Sequence, residues 1–230
     1  MAFIVIDNRI RCIADCVRNG AVLADIGTDH GKLPIYLAQT QKIKHAVAVD
    51  INEMPLLKAK NNIKKYGLDL VIDTYLTDGL RGVEVFCPTD IVIAGMGGEL
   101  IEDILNKQTT DRKNVRYILQ PMTKEECLRK FLCNNGYSIF DEYIVKEQRL
   151  YQVICAEYTG KNTEMSAAEY ILGRKNIEKN DICFRELLEK TIEKTIRIMH
   201  GRQTAYLDIK CEEDLIHELI TIREKYYGER

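Results

Sequence analysis

The residues from Ala21 to Gly31, Ala-Val-Leu-Ala-Asp-Ile-Gly-Thr-Asp-His-Gly, set two carboxylates and an imidazole around a glycine turn at the end of an apolar run. The run reads as a buried strand, and a strand that stops at a glycine and hands over to a helix builds a nucleotide-sized crevice in doubly wound α/β domains. A dinucleotide site wants glycines at the first, third and sixth turn positions, where bare N–H groups approach a pyrophosphate. Here glycines fall only at Gly27 and Gly31, and the middle position is Asp29. A carboxylate beside a diphosphate is strongly unfavourable where water is excluded. A ligand carrying a ribose, an ammonium and a sulfonium has donors and positive charge in those places instead. That is the charge pattern of S-adenosylmethionine, which Asp25 and Asp29 would suit.

Further acids recur at the same relative place. Asp50 lies 23 positions beyond Gly27 and closes a second strand, near the spacing at which an acid reaches ribose hydroxyls. Its two oxygens can accept from both OH groups of a diol. Asp78, followed by Gly79, closes a third strand and is placed to accept from an adenine amino group, with apolar neighbours forming the ring slot. A fourth strand runs into Gly95-Met96-Gly97-Gly98. Methyltransferases acting on exocyclic base amines carry there an Asp or Asn, two prolines and an aromatic. Small residues instead let a base come close to the methyl donor. They suit attack by a ring nitrogen such as adenine N1, which already presents an in-plane lone pair. The product is a cation, so a nearby carboxylate stabilises the developing charge and orients the amino group. Asp29 is the candidate, with His30 as a base, a stacking contact or simply a residue that orders the turn.

Positioning these residues takes alternating strands and helices. Asn8 to Arg18 spaces Ile10, Ile13, Ala14 and Val17 as an amphipathic helix. Strands are expected at 22–26, 45–49, 71–76, 90–94 and 116–119, with helices at 32–38, 55–66, 99–106 and 124–134. Two further runs, 137–145 and 151–158, are joined by a short charged segment and pair as an antiparallel hairpin. The expected fold class is therefore α/β: a doubly wound, Rossmann-like sheet of the class I methyltransferase type, ending in that hairpin. It occupies residues 1–160. Residues 161–230 read as a helical domain whose stripes, Ile182 to Met199 and Leu215 to Tyr226, form a coiled-coil-like helical hairpin broken between Gly201 and Cys211.

Composition narrows the setting. The chain has 230 residues and a net charge of −2, balanced on both sides of Gly160, so any RNA-binding surface must be local. No apolar run is long enough to span a membrane, and the stretch up to Asp7 is too short for a signal peptide, so the expected location is cytoplasmic. The eight cysteines are scattered without a Cys-x-x-Cys pair. Cys12 and Cys16 could form a metal half-site, but no second pair follows at finger-like spacing and no metal is expected.

Asp25-Ile-Gly-Thr-Asp-His-Gly-Lys-Leu-Pro34, Asp50, Asp78-Gly-Leu80, Ile93-Ala-Gly-Met-Gly-Gly98 and Leu119-Gln-Pro121 together resemble the bacterial TrmK-type tRNA (adenine-N1)-methyltransferases over essentially the whole chain. The resemblance implies S-adenosylmethionine-dependent methylation of N1 of adenine 22 in tRNA. It implies donor binding by Asp25, Gly27, Thr28, Asp29, His30 and Gly31, by Asp50 and Ile51, by Asp78 and Gly79, and by Gly95, Met96 and Gly97. Asp29, with His30, would face the target base, and Met122 is given no role. The base has to leave its tertiary stack before transfer. Arg9, Arg11, Arg18, Lys146 and Arg149 are candidates for phosphate contacts. The C-terminal helices clamp tRNA or dimerise; the sequence leaves both open. A small-molecule methyltransferase and a non-catalytic nucleotide-binding protein are the competing readings, and an NAD-linked oxidoreductase is disfavoured by Asp29.

Overall fold

The computed structural model describes residues 3–107 and 113–228; Met1 and Ala2 of the opening apolar run lie outside them. The chain packs as two units divided between Thr163 and Glu164.

In the first unit a single sheet alternates with helices: α1 (Asn8–Cys16), β1 (Ala21–Ile26), α2 (Lys32–Gln39), β2 (Ile43–Asp50), α3 (Glu53–Lys65), β3 (Ile72–Leu76), β4 (Asp90–Met96), α4 (Gly98–Asn106), β5 (Arg116–Pro121), α5 (Glu125–Asn134), β6 (Tyr137–Lys146) and β7 (Leu150–Tyr158). The sheet order is β3-β2-β1-β4-β5-β7-β6. The first five strands are parallel, and β7 runs antiparallel between β5 and β6. Successive strands go one way from β1 and then the other, so the order reverses between β1 and β4. A crevice opens at such a point, outside the carboxyl ends of the strands.

The central strands are buried on both faces: Leu23, Ala24, Val47, Val49, Val92, Ile93, Ile118 and Leu119 are essentially inaccessible. That explains their near-continuous apolar sequences, since a parallel sheet covered by helices has no wet face. At the other end of the sheet, the fully buried guanidinium of Arg129 on α5 meets Glu142 of β6 and Gln152 of β7, each at 2.7 Å. This network pins α5 to the hairpin.

Two features depart from the sequence expectation. β4 does not stop at Ala94: Gly95 forms a bulge at φ +78°, and the strand resumes to pair Met96 with Pro121. A glycine there is strand-compatible because its left-handed backbone absorbs the extra residue. A short 3-10 helix, Val83–Phe86, also interrupts the link between β3 and β4.

The second unit is helical: α6 (Ala167–Leu172), α7 (Arg174–Lys179), α8 (Phe184–Thr204) and α9 (Lys210–Tyr227). The first two were not foreseen, although Ser166 and Glu169 form a capping box that the sequence carries. The expected break lies too early. α8 runs through Gly201 to Thr204, since an isolated glycine costs only about 1 kcal/mol in a long helix. Ile182, assigned to the stripe, precedes α8 and is 97% exposed. Among the described residues no helix is long and apolar enough to cross a membrane.

Candidate active site

The strand ends converge at the reversal point. β1 lies between β2 and β4, with Asp25 opposite Ala48 on one side and Val92 on the other. The chain then turns at Gly27, φ +74°, where the Gly27 and Thr28 amides both donate to the Val49 carbonyl, at 2.8 and 2.9 Å. Glycine is demanded by this backbone angle, and a Cβ at Gly27 would in addition sit 2.1 Å from the Met96 Cε, displacing the tip of that flexible side chain.

Two cavities, about 280 and 370 Å³, flank this turn and share Gly27, Ala94 and Gly95 in their walls. The larger is bounded by Asp50, Ile51, Asp78 and Gly79 from the ends of β2 and β3, and by Met96, Leu100 and Ile104 from β4 and α4. Ile51 and Leu100 are 61% and 51% exposed, which leaves an apolar slot at its mouth. The Asn52 amide donates to one oxygen of Asp50 at 2.8 Å and holds the carboxylate at the strand end. The smaller cavity is walled by Asp25, Asp29, Lys32, Arg9, Ile10 and Met122 among others.

Asp25 is buried, and its carboxyl is pushed up to about 6, first by burial and further by the negative charges of Asp29 and Asp50. The Thr28 hydroxyl donates to it at 2.7 Å and works the other way, favouring the charged form. Asp29 stands in the same wall but is mostly exposed, held by Lys32 at 3.1 Å. His30 Nε2 lies 3.7 Å from its other oxygen.

Nine of the thirteen residues assigned to the donor therefore line the cavities: Asp25, Gly27, Asp29, Asp50, Ile51, Asp78, Gly79, Gly95 and Met96. Thr28, His30, Gly31 and Gly97 are not in those walls. Thr28 supports Asp25. The His30 carbonyl accepts from Asn62 on α3, and Gly31, at φ +72°, turns the chain into α2 through a left-handed backbone. Gly97 is the N-cap of α4, and a Cβ on its neighbour Gly98 would lie 2.3 Å from the Lys124 carbonyl oxygen. Half of the glycine run thus serves packing against the segment after β5.

The arginines also divide. Arg18, a candidate for phosphate, is spent inside the fold: its Nε and backbone N–H donate to the buried Asp90 at 2.7 and 2.8 Å, and its Nη2 donates to the Thr89 carbonyl. Arg11 lies outward on Tyr36. Arg9 points into the small cavity, where its Nη1 donates to the buried Gln120 at 2.7 Å. Sequence reasoning quoted Gln120 only within Leu119-Gln-Pro121 and gave it no role, nor any to Met122, which is in the cavity wall. The signal for Arg9 was present, because it precedes Ile13 by four and so shares its inward helix face. Among the described residues no group of three or more His, Cys, Asp or Glu could hold a metal ion, the Cys12/Cys16 pair included.

A doubly wound sheet whose reversal point opens on carboxylates and an apolar slot, with no glycine-rich diphosphate cradle, defines the methyltransferase class. The methyltransferase-domain family matches residues 6–154. The tRNA (adenine(22)-N(1))-methyltransferase of Bacillus subtilis is 38% identical over 155 residues, 66% of this chain and 65% of that enzyme, just under two thirds of its length. Two solved structures match nearly throughout. The Bacillus subtilis m1A22 tRNA methyltransferase TrmK has a TM-score of 0.80 at 30% identity, covering 98% of this chain and 100% of that one. A putative tRNA (m1A22) methyltransferase of Streptococcus pneumoniae, in complex with S-adenosyl-L-methionine, has a TM-score of 0.83 at 32% identity, covering 95% and 99%. The chain belongs to this family of TrmK-type tRNA (adenine-N1)-methyltransferases.

Proposed function

We propose that this chain transfers a methyl group from S-adenosylmethionine to N1 of adenine 22 in tRNA, the reaction named for its Bacillus subtilis relative. The supporting observation is the pair of cavities joined over Gly27, Ala94 and Gly95, with carboxylates on both sides of the junction. The donor, when bound, supplies an electrophilic methyl group. Asp50 accepts from the ribose diol, and Asp78 faces the adenine edge while Ile51, Leu100 and Ile104 form the slot for the ring. Asp25 takes the ammonium of the amino-acid tail, which returns the carboxyl to its charged form by supplying the opposite charge that burial withheld. Arg9, in the same cavity and held there by Gln120, meets the tail's carboxylate, while Lys32 of that wall is paired with Asp29.

Asp29 is exposed at the rim and can accept from the target's amino group, holding N1 in line and stabilising the cation that methylation creates. His30 stands outside the cavity wall and acts on Asp29, ordering the turn. Gly95 leaves the acceptor room to approach. Because the product is itself a cation, no side chain is required to remove a proton at the moment of transfer. RNA binding, by charged residues around this mouth, completes the reading.

Incubation with methyl-labelled S-adenosylmethionine and unmodified bulk tRNA, followed by nuclease mapping, tests this. Label in N1-methyladenosine at position 22 is expected. Label only in a small molecule, or donor binding with no turnover on any RNA, refutes it.

A further inference from the structure

Bonded to Met122 of the small cavity's wall is a second arginine whose surroundings the reaction described above does not use. Arg149, in the turn between β6 and β7, is exposed, yet it is held in place. Its Nη2 donates to the Met122 carbonyl at 2.8 Å, and its guanidinium lies 4.9 Å from the Tyr151 ring centroid. Arg9 lies 5.7 Å from the same ring. Glu147 of the same turn accepts from the Asn8 amide at 2.6 Å, so the turn is tied to the start of α1. Gln120, fully buried, fixes Arg9 from behind. The cluster is therefore a built wall, made of α1, the segment after β5 and the β6–β7 turn.

Its electrostatics are incomplete. Two guanidiniums share one aromatic ring, and among the described residues no carboxylate lies within ion-pair distance of Arg149. Met122 takes Nη2 alone, through its carbonyl at 2.8 Å and its sulfur at 3.5 Å, out of the five N–H donors that a guanidinium offers across three nitrogens. Holding the side chain in a single geometry removes much of the ordering cost that an anion would otherwise impose on binding. Met122 links the two places: it takes Arg149's hydrogen bond and lines the cavity beside Gly95. A nucleotide whose base reaches Gly95 across the mouth of that cavity, above the space taken by the donor's tail, would carry its phosphate toward Arg149.

We propose that Arg149, stacked on Tyr151 and tethered to Met122, binds a backbone phosphate of the RNA nucleotide presented to the cavity, and that it thereby seats the target. The inference rests on the reading of the chain as a tRNA methyltransferase. The shared chemistry is an oxyanion, and its other source is the donor's carboxylate, which the more interior Arg9 meets.

The test compares the full chain with Arg149→Gln and Arg149→Lys, after melting curves that should coincide because position 149 is exposed. Steady-state KM is measured for tRNA and for donor, and tRNA binding is titrated across salt concentrations. Arg149→Gln should raise the KM for tRNA roughly tenfold and lower the slope of log K against log salt by about 1, as loss of one phosphate contact does. The KM for donor should stay unchanged. Arg149→Lys should fall between, keeping the charge but not the planar fork. An unchanged tRNA affinity and salt slope in Arg149→Gln overturns the proposal, and so does a raised donor KM alone, which would assign the residue to the carboxylate. If the wild-type chain binds tRNA without methylating it, the reaction reading fails, while the titration still decides for or against this site.

Discussion

Asp25 should be a residue whose removal stabilises the protein while impairing it. Its carboxyl titrates near 6 in the folded chain, against 3.8 for the ordinary group. The folded state therefore holds this proton more tightly than the unfolded chain does. Stability from this group is greatest below about pH 4, falls as pH rises from about 4 to about 6, and is then constant. The shift of roughly two pH units corresponds to a cost of about 3 kcal/mol at neutral pH. Asp25→Asn abolishes the charge, and the Thr28 hydroxyl can still donate to the amide oxygen. Some desolvation cost remains for the amide, so a gain of about 1–3 kcal/mol at pH 7.5 is expected. For a chain of this size that is an upward shift of roughly 2–10 °C. The gain should shrink markedly at pH 4.5, where the wild-type carboxyl is largely protonated. Calorimetry on the same proteins should show the opposite order for S-adenosylmethionine: weaker uptake by the variant at pH 7.5. Wild-type affinity should fall toward tenfold per unit below about pH 6, and the variant's should be nearly flat. A variant that melts no higher than wild type at pH 7.5, or by the same margin at both pH values, would refute the claim that Asp25 is held charged against its burial.

Other substitutions separate the roles of neighbouring residues. Asp29→Ala should cut methylation of tRNA at least a hundredfold while donor affinity changes less than threefold, whereas Asp50→Ala should lose donor affinity first; calorimetry beside single-turnover assays checks both. Gly27→Ala should weaken donor binding and cost roughly 1–2 kcal/mol from the left-handed backbone alone. Pairing it with Met96→Ala should recover the part due to the 2.1 Å clash but not the backbone part, as read by chemical unfolding. Arg129→Met removes the guanidinium that faces the buried Glu142 and should destabilise the first unit by about 3–5 kcal/mol, and adding Glu142→Leu should restore much of that.

What could be read from the chain and what could not differ in how far apart the interacting residues lie. Asp25, Asp50 and Asp78 were legible because each ends a run whose own apolar pattern declares a strand, and the parallel topology then carries every strand end to one edge. Gly27 was legible for the same reason. Gly98 looked like room for a substrate, but what it clears is the Lys124 carbonyl, which belongs to a segment reached only after another helix and strand. Arg18 looked like a surface cation because nothing near it in sequence names Asp90, 72 positions away, as its partner. Arg9 and Gln120 are 111 positions apart, and Arg149 and Met122 are 27 apart. The turns at the strand ends are thus written locally, and the wall made of α1, β5, the segment after it and the late hairpin in long-range contacts. That division bears on the proposed function, since a wall assembled from distant segments can change its acceptor by substitution at Arg149 or Met122 without disturbing the turns proposed to hold the donor. If so, Met122→Ala should alter acceptor KM and leave donor affinity as it is; a matching loss of donor affinity would mean that the two halves of the crevice are one.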